Sequence, residues 1–273
     1  MRIVILTGSF LRHDFLRKAI ALDPEIRVLK SYCEITDRNL AAVIDSNKDD
    51  ASLQYEHLEA RQQSERDFFY PFVSLTPDYS NSVRLPFGHI NKKKYVDEII
   101  ALNPDLLVAY GCSIIKEFLL DAFSGRILNV HLGLSPYYRG TGTNFWPLVN
   151  GEPEFVGATF MFMNSGIDTG EIIHQIRAEI RLGDTPHQIG NRLISDMAGV
   201  YRTLIRRFNH IEAVEQIPVP EDAKFYLRKR FSPDSVRQLY ANFKAGMIQD
   251  YLAERENRIE RVPIINNPSL TAY

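Results

Sequence analysis

Cysteine is scarce in this chain: Cys33 and Cys112 are the only thiols among 273 residues. They are far apart and match no metal or redox spacing, which excludes a disulfide framework and a cysteine-built metal centre. Reduced thiols and a cytoplasmic setting are expected. No apolar run approaches the roughly 20 residues that a membrane helix requires. The opening segment, Met1 to Gly8, is too short an apolar run for a secretory signal. Charge of one sign is also lacking. There are 32 Lys and Arg against 34 Asp and Glu, a formal net charge of −2. Nothing global therefore advertises nucleic acid, although a local basic face stays open. Internal repeats and low-complexity segments are absent. What remains, 45% hydrophobic and 24% charged, is the composition of a globular protein with one large core, or a core with an appendage.

The order of apolar runs predicts the fold class. Ile3 to Leu6 is a short β-branched run closed by Thr7-Gly8-Ser9, and it reads as a buried strand turning into a helix over Arg12–Ala21. Ile26 to Leu29 reads as a second strand. Ala42 to Arg66 is polar and charged and predicts a largely exposed helix. Tyr95 to Ile100 has helical spacing and stops at Asn103-Pro104. Leu106 to Tyr110 is continuously apolar, as in a strand covered on both faces. Gly111 ends it, a helix is expected over Ile114–Phe123, and Ile127 to Val130 follows as a strand. Alternating strands and helices predict an α/β protein with an open parallel sheet.

Beyond His131 the pattern changes. A loop rich in Gly and Pro leads to Asn144–Val149. Two strand-like runs, Val156–Met163 and Ile172–Ile180, are close enough to pair as a hairpin or a mixed edge. Thr185-Pro186-His187-Gln188 carries a helix start, with Thr185 as cap, Pro186 at the first position and Gln188 completing a capping box. Pro218 and Pro220 mark a linker. The expected division is a catalytic domain over 1–210 and a linker with a short helical extension over 211–273. In that extension Ser232-Pro233 starts a helix, and Val236, Leu239, Tyr240, Phe243 and Met247 form an apolar stripe. The stripe is expected to dock on the main body, with contact in a homodimer as the other option.

Asn129 and His131 leave a strand at its carboxyl end, where open parallel sheets bind ligands. Alternation puts both on one side of the chain, with Val130 free to enter the core. Asp168 follows in Gly166-Ile167-Asp168-Thr169-Gly170. An amide, an imidazole and a carboxylate together can run acyl transfer to an amine. The amide stabilises an oxyanion, and the imidazole, with an ordinary pKa near neutrality, handles the proton. The carboxylate fixes the tautomer or orders a water. An isolated Asn-x-His is more often a structural turn, and Asp168 alone could be a turn residue. The remaining histidines, His57, His89, His174, His187 and His210, lack metal spacing and read as core or surface residues.

The flanking residues decide between those readings. Asn129-Val130-His131, Ser135-Pro136, Arg139-Gly140 and Asp168-Thr169-Gly170, with Ala158 to Met163 before the last of these, resemble the signature of the formyltetrahydrofolate-dependent formyltransferases. The resemblance runs from about Arg2 to Phe208 and is strongest from Leu106 to Ile173. It implies a Rossmann-like catalytic domain, catalysis by Asn129, His131 and Asp168, and N10-formyltetrahydrofolate as co-substrate, with no metal. It also implies that the pterin lies between Tyr110-Gly111-Cys112-Ser113-Ile114-Ile115 and Asn164-Ser165-Gly166-Ile167, segments whose apolar and Gly content suits a flat guest.

The acceptor is less legible. Met161 stands where glycinamide ribonucleotide formyltransferases carry a His. The tail after Pro220 is about half the size of the barrel that methionyl-tRNA formyltransferases add, and its only basic cluster is Arg228-Lys229-Arg230. The expected acceptor is a small-molecule amine, by elimination and by resemblance to amino-sugar formyltransferases the amino sugar of a nucleotide-sugar. Nucleic acid and membrane partners are not expected. Glycinamide ribonucleotide, methionyl-tRNA and water (a hydrolase releasing formate) are the alternatives within the chemistry. A folate-binding regulator without turnover is the alternative outside it. Thr7-Gly8-Ser9, with Arg12 or His13, could cradle a phosphate, although a ligand-free turn is the simpler reading.

Overall fold

The computed structural model describes residues 1–35, 44, 50–166, 168–216 and 223–271. The elements are β1 (Arg2–Gly8), α1 (Leu11–Ala21), β2 (Arg27–Ile35), α2 (Ala51–Leu75), β3 (Ser82–Pro86), α3 (Lys93–Leu102), β4 (Leu106–Tyr110), α4 (Glu117–Ala122), β5 (Ile127–His131), β6 (Tyr138–Gly140), α5 (Trp146–Val149), β7 (Gly157–Phe162), β8 (Ile172–Arg177), α6 (Pro186–Arg206), β9 (Lys224–Tyr226), α7 (Pro233–Lys244), α8 (Met247–Ala253), α9 (Arg255–Glu260) and α10 (Pro268–Thr271). Seven strands form one sheet in the order β3-β2-β1-β4-β5-β7-β8. The first five are parallel, and β7 and β8 are antiparallel additions. This is the open sheet that the apolar rhythm predicts and the Rossmann-like fold that the resemblance implies, with the expected hairpin as its mixed edge.

The period of two along each strand divides the core between the sheet's two faces. Ile3, Ile5, Leu106, Val108, Leu128 and Val130 pack with Leu16, Ile20, Phe69, Leu193 and Met197, so α1, α2 and α6 cover one face. Val4, Leu6, Leu107, Ala109 and Ile127 pack with Val96, Ile99 and Leu119, so α3 and α4 cover the other. The strand run Leu106–Tyr110 has the predicted bounds and is buried throughout. The α6 start is also as predicted. Thr185 Oγ1 accepts from the Gln188 amide at 3.2 Å, and Gln188 Oε1 accepts from the Thr185 amide at 2.8 Å.

Several boundaries differ from the sequence expectation. The second strand runs on to Ile35, because its later residues pair with an unpredicted edge strand, β3. The helix expected over Ala42–Arg66 is α2, displaced to Ala51–Leu75; residues 42–43 and 45–49 of that expectation lie outside the described residues. Phe69, fully buried, anchors its later half. The helix expected over Ile114–Phe123 begins only at Glu117. The two strand-like runs after Val149 are shorter than expected, ending at Phe162 and Arg177.

The carboxyl-terminal segment is built into the same core. Leu239, Met247, Ile248 and Tyr251 are buried in the cluster that holds α1 and α6. The predicted stripe is not one helix face. Gly246, at φ 93°, breaks the chain between α7 and α8, so Met247 opens a new helix. Tyr240 is 41% exposed. Past α9, the chain covers the free edge of β8: the Gln175 amide donates to the Ile265 carbonyl at 2.7 Å, and the Ile265 amide to Gln175 Oε1 at 3.0 Å. A second small sheet pairs β6 with β9.

Candidate active site

β5 carries the site to the carboxyl rim of the sheet. Ile127, Leu128 and Val130 are buried, Asn129 is half-buried, and His131 is 8% exposed. Asn129 and His131 share a side of the strand, about 6.6 Å apart along it. The partner strand β7 places Met161 opposite Asn129 and Thr159 opposite His131. Beneath them, the buried Tyr201 hydroxyl of α6 lies 2.9 Å from the Ala109 carbonyl and 2.8 Å from the Leu128 carbonyl. It thus bridges β4 and β5 next to the site.

His131 stands between two acceptors. Nε2 is 3.2 Å from the Tyr138 carbonyl oxygen, and Nδ1 is 3.4 Å from Asp168 Oδ1. A carbonyl and a carboxylate can only accept, so both nitrogens can donate at once only when the ring is protonated. The chain is compressed around this ring. A Cβ on Gly133 would sit 2.6 Å from His131 Nε2 and 2.8 Å from the Thr143 Cβ, so that position admits only glycine. Thr143 in turn donates its hydroxyl to the Leu132 carbonyl.

Asp168 reaches His131 from a loop with an uncommon backbone. Its φ is 54°, in the left-handed region that Asp and Asn tolerate better than most side chains. The loop is closed from within: Asn164 Oδ1 accepts from the Gly166 amide at 3.0 Å and from the Thr169 hydroxyl at 2.9 Å. Gly170 lies so close to the Phe162 carbonyl that a Cβ would fall 1.7 Å from its oxygen. From outside, Gln216 Nε2 donates to the Asp168 carbonyl at 2.9 Å and to the Gly170 carbonyl at 2.8 Å. Asn164, Ser165 and Gly166 are exposed, whereas Ile167 lies outside the described residues.

The segment after β4 is held in an irregular shape by side chains from other elements. The buried Glu34 carboxylate accepts from the Ser113 amide at 2.7 Å and the Ile90 amide at 3.1 Å. Asn91 donates to the Ile114 carbonyl at 2.9 Å and accepts from the Lys116 amide at 2.8 Å. These bonds are why no helix starts at Ile114. Tyr110, Ser113 and Ile115 are buried, Gly111 takes φ 66°, and the Ile114 side chain is 70% exposed. The Ser113 hydroxyl is buried without a partner. Burial, reinforced by Glu34, pushes the Cys112 thiol up to about 12, so it is not a nucleophile at neutral pH. Cys112 and Met163 both pack on the apolar cluster that covers this face of the sheet, and the loop that Met163 begins returns to the His131 end of β5 through Asp168.

The structure therefore brings His131 and Asp168 into direct contact and puts Asn129 on the same strand side. Glu34, Asn91, Gly133, Thr143 and Gln216 were not singled out by sequence reasoning. They sit on separate elements and carry no local spacing that would mark them. Among the described residues, no group of three or more His, Cys, Asp or Glu could hold a metal ion.

Comparison with known proteins gives a consistent context. The sequence model described as formyl transferase matches residues 39–204. A methionyl-tRNA formyltransferase of Desulforamulus reducens is 33% identical over 156 residues, 56% of this chain and 47% of that protein. One from Anaeromyxobacter is 39% identical over 125 residues, 45% of this chain and 38% of that protein. The matched stretch thus spans about half the length of these curated relatives or less. Among solved structures, a sugar N-formyltransferase from Shewanella superposes with a TM-score of 0.55 at 17% identity, covering 85% of this chain and 78% of that one. A glycinamide ribonucleotide transformylase from Symbiobacterium toebii gives 0.53 at 18% identity, covering 79% and 94%. At these identities the superpositions speak for the fold.

Proposed function

We infer the function of this chain from the premise that it belongs to the formyl transferase family, whose model covers residues 39–204. The proposed reaction moves a formyl group from N10-formyltetrahydrofolate to a primary amine. The observation that carries it is the His131 imidazole held between the Tyr138 carbonyl and the Asp168 carboxylate, two residues beyond Asn129. The amine attacks the formyl carbon, and negative charge gathers on the formyl oxygen. Asn129 donates its amide hydrogen to that oxygen, a contribution of about 2.7–4 kcal/mol where such donors have been removed. Protonated His131 gives the Nε2 proton that it otherwise shares with the Tyr138 carbonyl to the departing nitrogen and, once neutral, takes up the proton that the attacking amine sheds, while Asp168 at Nδ1 keeps the ring oriented and its charge stabilised.

The donor fits the segments named for it. Tyr110 to Ile115 offers a glycine, an exposed Ile114 and the unpartnered Ser113 hydroxyl, and the Asn164 loop carries Asp168 to His131. We take 1–210 as the catalytic portion and 211–273 as its extension. The acceptor we propose is an amino sugar carried on a nucleotide; methionyl-tRNA is the second reading, favoured by the identity to proteins of that name. The test is a mass assay with formyl donor and a panel of nucleotide-linked amino sugars. A gain of one formyl group on one of them, lost in His131→Ala, is the expected result. Formylation of charged initiator tRNA alone would replace the acceptor. Formate release without any acceptor would turn the reading to hydrolysis.

A further inference from the structure

A polar cluster that the proposed catalysis does not use lies where β1 and β4 end. Glu65 of α2 receives two guanidinium groups. Arg12 Nη1 lies 2.8 and 3.0 Å from its two oxygens, and Arg61 Nε lies 3.0 Å from Oε1. The Arg12 and Glu65 side chains are 14% and 10% exposed, and Arg61 is 36% exposed. One carboxylate thus faces two cations in a largely enclosed place, and burial together with the neighbouring Arg12 pulls the Arg61 pKa down, the mark of a cation short of counter-charge. Arg61 spends only Nε on Glu65, which leaves its two terminal amino groups for another acceptor.

The groups around this pair are short of partners too. The buried Tyr110 hydroxyl lies against Arg12 but makes no hydrogen bond of good geometry. His187, in the first turn of α6, has a buried Nε2 without a partner. Its ring is 4.7 Å from that of His57, whose Nδ1 lies 3.1 Å from the Tyr240 hydroxyl. Burial lowers His57 to about 3 and His187 to about 4, so neither adds charge at neutral pH. Buried polar atoms left unpaired cost about 1–3 kcal/mol each, and two beside one under-compensated arginine call for a missing partner.

The turn after β1 is itself closed to a ligand. His13 lies over Gly8 and Gly111, with ring atoms 2.6 and 2.4 Å from where their Cβ atoms would be, and its Nδ1 accepts from the Phe10 amide. The space at Gly8 that a phosphate would use is filled by imidazole, so the positive charge is offered by Arg12 and Arg61 instead. Tyr110 ends the strand beside β5, about 5 Å away laterally, and Ala109 is in register with Asn129. A group bound at the cluster and an amine bound at His131 would lie along one carboxyl rim, as ligands of open α/β sheets do.

We propose that Arg12, Arg61, Tyr110 and His187 form an anion site for a phosphate or diphosphate group of the acceptor. The proposal deepens the acceptor reading above and rests on it. Guanidinium groups pair with phosphate oxygens in two-point fashion, and an anion there balances the second arginine while the hydroxyl and the imidazole donate to it. Calorimetry on the full chain, with inorganic pyrophosphate and then UDP and dTDP as probes, tests it without any turnover. Binding is expected, with Kd at least tenfold weaker in Arg61→Gln, intermediate in Arg61→Lys, and weaker in Tyr110→Phe, whose fold should hold because the lost hydroxyl has no hydrogen-bond partner of good geometry. Tighter binding of the nucleoside diphosphates than of pyrophosphate would assign part of the recognition to the nucleoside, and equal binding would confine it to the anion. No binding of any probe, or unchanged affinity in a folded Arg61→Gln protein, overturns the site. A chain that binds diphosphate through Arg61 yet formylates nothing overturns the proposed function alone. Formylation of an uncharged amine with KM unmoved by Arg61→Gln overturns this site alone.

Discussion

At the residue scale, two backbone positions are tied to the chemistry. Asp168 takes a left-handed conformation to reach His131, and asparagine tolerates that conformation equally well. Asp168→Asn should therefore keep its thermal midpoint while losing at least about 10²-fold in turnover, since the amide no longer stabilises the protonated ring. A variant with normal kcat would remove Asp168 from the mechanism. Gly133 makes the complementary case. Alanine there would overlap His131 Nε2 and the Thr143 side chain, so Gly133→Ala should move the ring and lower kcat even though no reacting group is deleted. Turnover in this variant equal to wild type would show that the turn has room the distances deny.

At the element scale, the parts legible in the sequence were those with strong, local signals. Leu106–Tyr110 is apolar at every position because helices cover both faces. Thr185-Pro186-His187-Gln188 is a self-contained cap. The approach of Asp168 to His131 was legible through their flanking motif. What escaped depended on partners distant in sequence. Of β3, only Leu85 is buried, and Pro86 closes it at the sheet's edge, so its run has no alternation to read. The late start of α4 is dictated by Glu34 and Asn91, which compete for the amides and carbonyls of residues 113–116. Glu34 accordingly offers a test of the donor segment. Replacing it with alanine strands two buried amides, at about 1–3 kcal/mol each, and should loosen Gly111–Ile115 while Tyr110 stays held in β4. Binding of a folate analogue is expected to weaken about tenfold or more by calorimetry, with Arg61-dependent anion binding retained. Unaltered folate affinity in a folded Glu34→Ala protein would place the pterin elsewhere.

At the scale of the whole molecule, the last segment acts as a strap over β8, and one histidine makes that strap sensitive to acid. Asn267 is 1% exposed. Its side chain donates to the Ile173 carbonyl at 2.9 Å, and its backbone amide donates to His174 Nδ1 at 3.1 Å. An amide can donate only to an unprotonated ring nitrogen, so this contact requires neutral His174. Burial lowers His174 to about 4, against an ordinary value of 6.5. The unfolded chain therefore binds a proton near pH 6.5 that the folded chain refuses until about pH 4. Stability from this group is present above 6.5 and is lost as pH falls toward 4, at up to about 1.4 kcal/mol per pH unit. His57 and His187, lowered to about 3 and about 4, act in the same direction. Urea unfolding between pH 8 and 4 should show a stability that declines below about pH 6.5. His174→Gln, which can still accept from Asn267, should decline less steeply. Removing residues 262–273 should have a different signature: lower stability at every pH, because without Ile265 and Asn267 the β8 edge is unpaired, and the same shallower acid slope, because His174 then titrates near its ordinary value. Equal slopes for wild type, His174→Gln and the truncated chain would mean that the strap does not depend on the neutral imidazole.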